Sequence, residues 1–181
     1  MLGEGGFGKL WMMNVNEQEP NDFNDKNKRK MFALKVHSKQ MLLDRNVVGF
    51  MVCEKYTLES LDSPFIMKLV HSFGDENNIY LLNNFIPGGE LHNLLYEKDR
   101  QLIGALGNQY GLHERDAKFY AAGVLSGLSY VHTRQILYRD LKPENVLLDH
   151  RGYPALIDLG FGGCINFLGE KALRHFTVCL F

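Results

Sequence analysis

The 181-residue sequence has few cysteines, and they are scattered at Cys53, Cys164 and Cys179. It contains no Cys-x-x-Cys pair and no cluster of histidines, so neither a disulfide framework nor a zinc site is indicated. Reduced thiols are typical of an intracellular protein. We therefore expect a cytoplasmic location.

Long apolar runs and an excess of either charge are also missing. Twenty basic and 21 acidic residues leave a formal charge of −1, which provides no broad attraction for nucleic acid or an anionic membrane surface. No apolar run approaches the roughly 18 residues needed to span a bilayer, and the N-terminus does not have the pattern of a signal peptide. We expect neither a nucleic-acid partner nor a membrane span.

The first half of the chain has the patterns of a small sheet. Residues 1–13 are typical of two strands joined by a glycine turn, and residues 31–36, 65–73 and 79–86 predict three more. Residues 14–30 are polar and predict a solvated loop. One helix is predicted between the third and fourth strands, with the face Val47, Met51, Glu54, Leu58 and Leu61.

Glu54 places a carboxylate in that apolar face, which is costly unless the carboxylate is paired. Lys35, in the otherwise apolar stretch Ala33-Leu34-Lys35, is a candidate partner. Most strand lysines are simply solvated, and that interpretation remains open for Lys35 taken alone. An ion pair between Lys35 and Glu54 would remove the cost of burying Glu54.

The second half predicts helices. Residues 90–96 form a short helix, residues 101–111 a loop, and a longer helix follows with the buried face Ala117, Ala121, Val124, Leu128 and Val131. Gly123 and Gly127 are four residues apart, so they would let a neighbouring element approach this helix closely.

The stretch Gly3-Glu4-Gly5-Gly6-Phe7-Gly8 matches Gly-x-Gly-x-x-Gly, which lets backbone amides approach phosphate oxygens. Alone it is weak evidence, because a glycine-rich hairpin turn or a dinucleotide-binding fingerprint has the same spacing. The dinucleotide fingerprint needs a helix directly afterwards, whereas Leu10 to Met13 has the pattern of a strand.

The most specific pattern runs from Tyr138 to Asn145, Tyr-Arg-Asp-Leu-Lys-Pro-Glu-Asn, and continues at Asp158-Leu159-Gly160. It supplies a proton acceptor in Asp140, a cation in Lys142, and two oxygen ligands for Mg²⁺ in Asn145 and Asp158. Phosphoryl transfer requires these groups in this order.

With these residues, the chain resembles the eukaryotic protein kinase catalytic domain. Three features resemble the AGC group of kinases and its cyclic-nucleotide-dependent members, namely Tyr138, the stretch Pro87 to Glu90 and the stretch Gly160 to Gly162. The stretch that contains Lys142 resembles serine/threonine kinases. The resemblance implies an α+β, two-lobed protein-kinase-like fold. Its N-lobe, residues 1–86, would have a five-stranded antiparallel sheet, one helix and a polar insertion at 14–30. Residues 87–181 would form an incomplete, mainly helical C-lobe that ends in the activation segment.

The resemblance also implies an ATP-dependent serine/threonine kinase that uses Mg²⁺ and acts on protein substrates. Its catalytic residues would be Asp140, Lys142, Lys35 and Glu54, and Asn145 and Asp158 would bind the metal. Positions matching Glu90 and Glu144 imply a preference for basic residues near the phosphoacceptor. A pseudokinase or an inactive fragment acting as a binding module is the alternative. The implied nucleotide-binding residues are Gly3, Gly5, Gly6, Phe7, Gly8, Leu10, Ala33, Lys35, Asn84, Ile86, Glu90 and Leu147.

Several positions depart from the family pattern. Leu159 replaces the usual Phe, and we expect it to pack under the helix that carries Glu54. Asn83 falls where an apolar residue usually closes the back of the ATP pocket, and Asn84 falls where this group usually has an acidic residue. The back of the pocket should therefore be more polar.

Thr177 aligns with the activation-loop phosphothreonine, but its usual basic partners are mostly missing, since Phe50 and Gly163 stand at two of their positions. Arg139 remains to receive a phosphate. The family continues beyond Cys179 with further helices. We therefore expect an incomplete gene model or a fragment, whose long helix around Val124 and Leu128 exposes an apolar face.

Overall fold

The computed structural model describes residues 3–5, 8–16, 29–96, 111–159 and 163–164. Within these segments the first half of the chain forms one antiparallel sheet with the strand order β1-β2-β3-β5-β4. The predicted five-stranded antiparallel lobe is confirmed. Its strands are β1 (Gly3–Gly5), β2 (Gly8–Asn16), β3 (Arg29–Ser38), β4 (Leu69–Gly74) and β5 (Asn78–Asn84).

Strands β2 and β3 extend farther than their side chains suggested. The predicted loop at 14–30 is wrong at both ends, because Asn14 pairs with Met31, Val15 with Lys30 and Asn16 with Arg29. Antiparallel pairing is made by backbone N–H and C=O groups, so polar side chains do not stop it. Residues 17–28 lie outside the described part of the chain.

Strand β4 begins later than predicted, at Leu69 rather than at Phe65. The reason is that the preceding backbone pairs with the second half of the chain. The carbonyl of Phe65 accepts a hydrogen bond from the N–H of Leu156 at 2.8 Å, and the N–H of Met67 donates to the carbonyl of Leu156 at 2.8 Å. These bonds fix the sheet to the second half.

Two helices accompany the sheet. The predicted helix is α2 (Val48–Glu59), which buries Met51, Glu54, Thr57 and Leu58. The sequence pattern did not predict the short helix α1 (Lys39–Asp44) that precedes it. Ser38 starts α1, because its hydroxyl accepts a hydrogen bond from the N–H of Met41.

The second half combines helices with short strands, and most of its described residues in regular elements are helical, as predicted. The helices are α3 (Leu91–Tyr96) and α4 (Glu114–His132). Strand β6 (Ile136–Leu137) pairs with β9 (Gly163–Cys164), and β7 (Val146–Leu148) pairs with β8 (Pro154–Leu156). No helix of the described segments is both long enough and apolar enough to cross a bilayer.

One buried cluster spans both halves. It joins residues of α2 and the segment after it to residues of α3, α4 and the strands β6 to β8. Its members are Leu58, Leu61, Ile66, Leu91, Val131, Ile136, Tyr138, Val146, Leu148, Leu156 and Leu159. The two lobes therefore share a hydrophobic core beneath the loops that carry the predicted catalytic residues.

The predicted buried face of α4 is partly wrong, since Ala117 and Ala121 are exposed. Helix α4 instead packs on β8 through its glycines, and the predicted close approach is confirmed. A Cβ atom at Gly123 would lie 2.3 Å from Cγ of Pro154, and one at Gly127 would lie 2.9 Å from Cδ1 of Leu156. The face with the two glycines packs inward, in place of the face with Ala117 and Ala121, because it lets the whole helix approach the core more closely.

The predicted exposure of the α4 face around Val124 and Leu128 is wrong, and the exposed apolar side chains of α4 are instead Phe119 and Leu125. Leu125 is 63% exposed, whereas Val124 and Leu128 are half-buried. An open groove of about 510 Å³ is lined by Leu125, Leu128, Ser129, His132 and Thr133.

We expect Gly123→Ala to lower the free energy of unfolding by about 1–3 kcal/mol, because the rigid ring of Pro154 leaves no room for a methyl group. Gly49→Ala in α2 is the matched control. A Cβ atom there meets nothing within 4 Å, and the change should raise stability by up to about 1 kcal/mol through helix propensity. Denaturant unfolding measures both. A Gly123→Ala protein as stable as Gly49→Ala would contradict the packing of α4 on β8.

Candidate active site

Lys35 of β3 and Glu54 of α2 form the predicted ion pair. Their Nζ and Oε1 atoms are 2.6 Å apart, and the Glu54 side chain is only 3% exposed. A carboxylate at that depth would be strongly destabilising without a counter-charge. The pair therefore stabilises α2 against the sheet and fixes the direction of the lysine side chain.

Asp158 is the second anion near Lys35, with its Oδ1 atom 3.5 Å from Nζ. Burial by itself would lower the pKa of Lys35, but the charges of Glu54 and Asp158 outweigh it and raise that pKa above its ordinary value. Lys35 is thus an ammonium ion at neutral pH. Asp158 has 39% of its side chain exposed, so it can contact a ligand as well as Lys35.

A second group of contacts holds the carboxylate of Asp140. Its Oδ2 atom accepts hydrogen bonds from Nζ of Lys142 at 2.8 Å and from Nδ2 of Asn145 at 2.8 Å. Nδ2 of Asn145 also donates to the backbone carbonyl of Asp140 at 2.9 Å. The hydrogen bond to Asp140 raises the pKa of Lys142. The carboxylate of Asp140 is therefore held in one orientation through its Oδ2 atom.

Tyr138 links the loop that carries Asp140, Lys142 and Asn145 to the segment that carries Asp158. Its ring is buried, and its hydroxyl donates to the carbonyl of Ile157 and lies 3.3 Å from the carbonyl of Asn145. Burial, followed by the charges of Asp158 and Asp140, raises the pKa of Tyr138, so the hydroxyl stays protonated and remains a donor. In the sequence, Tyr138 is recognised only as one of the residues that resemble the AGC group. Its positioning contact could not be derived without the fold.

Arg139 and Asp158 have left-handed backbone conformations, with φ of 66° and 54°. Residues other than glycine rarely adopt positive φ, and such residues concentrate at functional sites where surrounding contacts hold them. Here Arg139 directly follows Tyr138, and Asp158 directly follows Ile157, whose carbonyl accepts the hydrogen bond from the Tyr138 hydroxyl. The backbone geometry therefore supports a functional role for this part of the chain.

On the sheet, several side chains share the face that carries Lys35. Leu10 pairs directly with Lys35 and Ala33 pairs with Asn83, so all four side chains lie on the same face. Gly8 starts β2, and a Cβ atom there would lie 2.1 Å from the carbonyl oxygen of Val36. Glycine is therefore required at this position.

The rest of the predicted glycine loop is described only in part. Gly3 and Gly5 lie in β1, which pairs with β2. Gly6 and Phe7 lie outside the described residues, so their predicted nucleotide contacts stay predictions.

The segment after β5 joins the sheet to β7. The N–H of Gly88 donates to the carbonyl of Leu148 at 2.7 Å, the N–H of Leu148 donates to Gly89, and Glu90 pairs with Leu147. A Cβ atom at Gly88 would lie 2.5 Å from the oxygen of Leu148, so this residue must also be glycine. These contacts fix the predicted ligand residues Ile86, Glu90 and Leu147 at the lobe boundary.

Asn84 uses its side chain inside the protein. Its Oδ1 atom accepts a hydrogen bond from the N–H of Lys68 at 2.6 Å, and its own N–H donates to the carbonyl of Lys68 at 3.0 Å. The backbone carbonyl of Asn84 is therefore the group through which this residue would contact a ligand base.

Comparison with known proteins identifies the family. The sequence profile of the protein kinase domain matches residues 1–178. The chain belongs to the protein kinase domain family.

Similar kinases include the cAMP-dependent protein kinase catalytic subunit of Schizosaccharomyces pombe, 36% identical over 160 residues, and human cGMP-dependent protein kinase 2, 36% identical over 170 residues. The cGMP-dependent protein kinase isozyme 1 of Drosophila melanogaster is 34% identical over 160 residues. The predicted resemblance to AGC serine/threonine kinases is confirmed. The alignments cover 88%, 94% and 88% of this chain but only 27%, 19% and 18% of these three relatives.

The acidic and amide side chains fit the metal that kinases use. No group of three or more His, Cys, Asp or Glu residues suited to a metal exists in the described part of the chain. Mg²⁺ usually takes only one or two protein carboxylates and completes its octahedron with phosphate oxygens and water. Asp158, together with the Oδ1 atom of Asn145, provides such a sparse set of hard oxygen ligands.

Among the family departures, Leu159 packs as expected. It is fully buried in the same cluster as Leu58 of α2, so the loss of the usual aromatic ring leaves the core closed. Asn83 is also buried, at 1% exposure. Thr177 and the stretch Gly160 to Gly162 lie outside the described residues.

We expect Glu54→Gln to lower the free energy of unfolding by about 1–3 kcal/mol, less than for a wholly buried pair because Asp158 still faces Lys35. Glu59→Gln is the matched control on the same helix. Glu59 pairs with Lys55 and is 41% exposed, so its loss should cost under about 1 kcal/mol. Chemical denaturation measures both, and equal effects would contradict the role of Lys35–Glu54.

Proposed function

We propose that this chain carries the catalytic centre of a serine/threonine protein kinase that uses Mg-ATP. One observation carries the proposal. Lys35 faces both Glu54 and Asp158, while Asp140 is held by Lys142 and Asn145. Both sets of charged groups that phosphoryl transfer needs are therefore present, and the similar proteins are named as kinases of this class.

Asp140 would orient the hydroxyl of a protein serine or threonine and hold its proton. Two donors occupy Oδ2, so Oδ1 is the atom that would receive the hydroxyl hydrogen bond. Lys142 shares this carboxylate, and its ammonium would offset negative charge on the transferred phosphoryl group. Its side chain is 47% exposed, so it can move toward a ligand.

Lys35 would contact the α- and β-phosphates of ATP, since its ammonium is kept charged and directed by Glu54. Asp158 and the Oδ1 atom of Asn145 would hold Mg²⁺. Bound Mg-ATP supplies the phosphoryl group and neutralises its charge. The amide of Asn145 would thus serve two groups, with its nitrogen on Asp140 and its oxygen on the metal.

The purine and ribose would lie between the sheet and β7. The glycine loop would cover the phosphates with Gly3, Gly5, Gly6, Phe7 and Gly8. Gly8, at the start of β2, lies directly against the backbone of Val36, which fixes this end of the loop. The remaining proposed nucleotide contacts are Leu10, Ala33, Asn84, Ile86, Glu90 and Leu147.

Protein substrates with basic residues near the phosphoacceptor would suit the acidic groups around Asp140. Glu144 is exposed and lies in the turn between Lys142 and Asn145, and Glu90 is half-buried beside Leu147. Both carboxylates could pair with arginine side chains of a peptide.

Replacing Asp140 by Asn should lower the rate of peptide phosphorylation by about 10²- to 10⁴-fold, because the proton acceptor is lost. Mg-ATP affinity should change little, since Asp140 is not among the proposed nucleotide contacts. Asp62→Asn, an exposed carboxylate paired with Lys68, is the control and should keep full activity. Radiolabelled phosphate transfer and nucleotide titration measure the two quantities.

A wild-type chain that binds Mg-ATP but transfers no phosphate would favour the pseudokinase alternative. A chain that binds no nucleotide would favour an inactive fragment.

A peptide with two arginines ahead of its serine should be phosphorylated with a kcat/KM at least about tenfold above that of its alanine counterpart, as expected for charge-assisted pairs. Glu144→Gln should reduce that ratio while leaving the alanine peptide unaffected. Equal kcat/KM for the two peptides would rule out the basic preference and leave the phosphoryl-transfer proposal standing.

A further inference from the structure

Two of the three cysteines of the chain belong to elements that pack against each other. Cys53 is in the middle of α2, and Cys164 is the last residue of β9. Cα atoms of α2 and of β9 approach to within 8 Å. Cys179 lies outside the described residues. The fold thus brings together two elements that are far apart in the sequence and that each carry one thiol.

Strand β9 is held in place by its pairing with β6. Cys164 lies opposite Ile136, and Gly163 lies opposite Leu137. Ile136 is a buried member of the core that both lobes share. The position of β9 beside α2 is therefore set by the register of its backbone.

Cys53 lies on the flank of α2 that points away from the sheet. Met51 packs with Leu81 of the sheet on the other flank. Because successive helical residues are rotated by about 100°, Cys53 and Met51 fall on opposite sides of Glu54. Thr57, one turn after Cys53, is buried, and its Oγ1 atom lies 3.9 Å from Sγ of Cys53. The half-buried thiol is thus on the side of the helix that faces the second lobe.

The separation of the two elements is close to that of a disulfide. Two cysteines can be bridged when their Cα atoms are about 4.4–6.8 Å apart. Elements that already approach within 8 Å need little movement to reach this range. Disulfides that form in a reducing compartment are usually transient and sense oxidants. A single bond of this kind does not require the cysteine-rich framework that the sequence lacks.

We infer that Cys53 and Cys164 form a reversible disulfide when the protein is exposed to hydrogen peroxide. One thiolate attacks the peroxide and becomes a sulfenic acid, and the second thiol then displaces its hydroxyl group as water to form the S–S bond. The two thiols lose two electrons and two protons, and the peroxide is reduced to two molecules of water. Exchange with a dithiol reverses the bond.

The bond ties the helix that carries Glu54 to the strand that follows Asp158. Glu54 is the residue next to Cys53, and it pairs with Lys35 in the position that α2 occupies here. Because α2 and β9 already contact each other, the bond stabilises this position. Oxidation therefore holds α2 in place from outside the ion pair of Lys35 and Glu54.

Mass spectrometry of unreduced peptides, after the folded protein is oxidised with hydrogen peroxide, identifies which cysteines pair. Among the three possible pairs, we expect Cys53 with Cys164 to dominate and to disappear after treatment with dithiothreitol. Denatured protein oxidised in the same way is the control. In that state the shorter loop favours Cys164 with Cys179, so the pair that depends on the fold should be lost.

Thermal unfolding measures what the bond does to the fold. Oxidation should raise the Tm of Cys179→Ser by about 5–10 °C, because a cross-link between distant residues restricts the unfolded chain. The double variant Cys53→Ser with Cys179→Ser is the matched control, and oxidation should leave its Tm unchanged. If Cys53→Ser does not fold, Cys53→Ala takes its place.

Formation of the bond needs no kinase activity, so its failure and the failure of the proposed function are distinguishable. A chain that transfers no phosphate can still show the pair. Either pair with Cys179 in the folded protein, or oxidation to sulfinic acid without any pairing, would overturn the inference. A bond between Cys53 and Cys164 that lowers Tm or leaves it unchanged would overturn its role in holding α2.

Discussion

The arrangement of the site depends on the need to pair a buried carboxylate. Glu54 lies in the apolar face of α2, where a carboxylate without a counter-charge is strongly destabilising. Lys35 meets that need, and its position brings the ammonium within 3.5 Å of Asp158. The helix, the sheet and the segment after β8 are thereby connected through three charges. Displacement of α2 would leave Glu54 unpaired, so the stability of the fold and the geometry of the site depend on one another.

A second constraint connects the lobes through the backbone. Phe65 and Met67 bond with Leu156 on one side, and Gly88 bonds with Leu148 on the other. Tyr138 adds a hydrogen bond to the carbonyl of Ile157, next to Asp158. The loop that carries Asp140 and the proposed metal ligand Asp158 therefore rest on β7, β8 and the shared core. Rigid supports of this kind hold charged groups in place before a ligand arrives.

Much of the site was predictable because its residues are close together in the sequence or are required by burial. Asp140, Lys142 and Asn145 lie within six residues, so a single turn sets their contacts, and Glu54 required a cation wherever it was buried. The extents of β2 and β3 were not predictable, because the backbone pairs regardless of side-chain polarity. The face of α4 was missed because Ala117 and Ala121 contribute little apolar area, while Gly123 and Gly127 permit closer packing. The proximity of the elements that carry Cys53 and Cys164 became visible only with the packing of α2 beside β9.

The central claim is that the Lys35 ammonium, held between Glu54 and Asp158, faces the phosphates of a bound nucleotide. The most direct measurement is the rate at which an amine-reactive reagent labels each lysine, followed by mass spectrometry with and without Mg-ATP. We predict that Mg-ATP slows the labelling of Lys35 and leaves that of Lys55, paired with Glu59 on the surface of α2, unchanged. Labelling of Lys35 at the same rate under both conditions would contradict the claim.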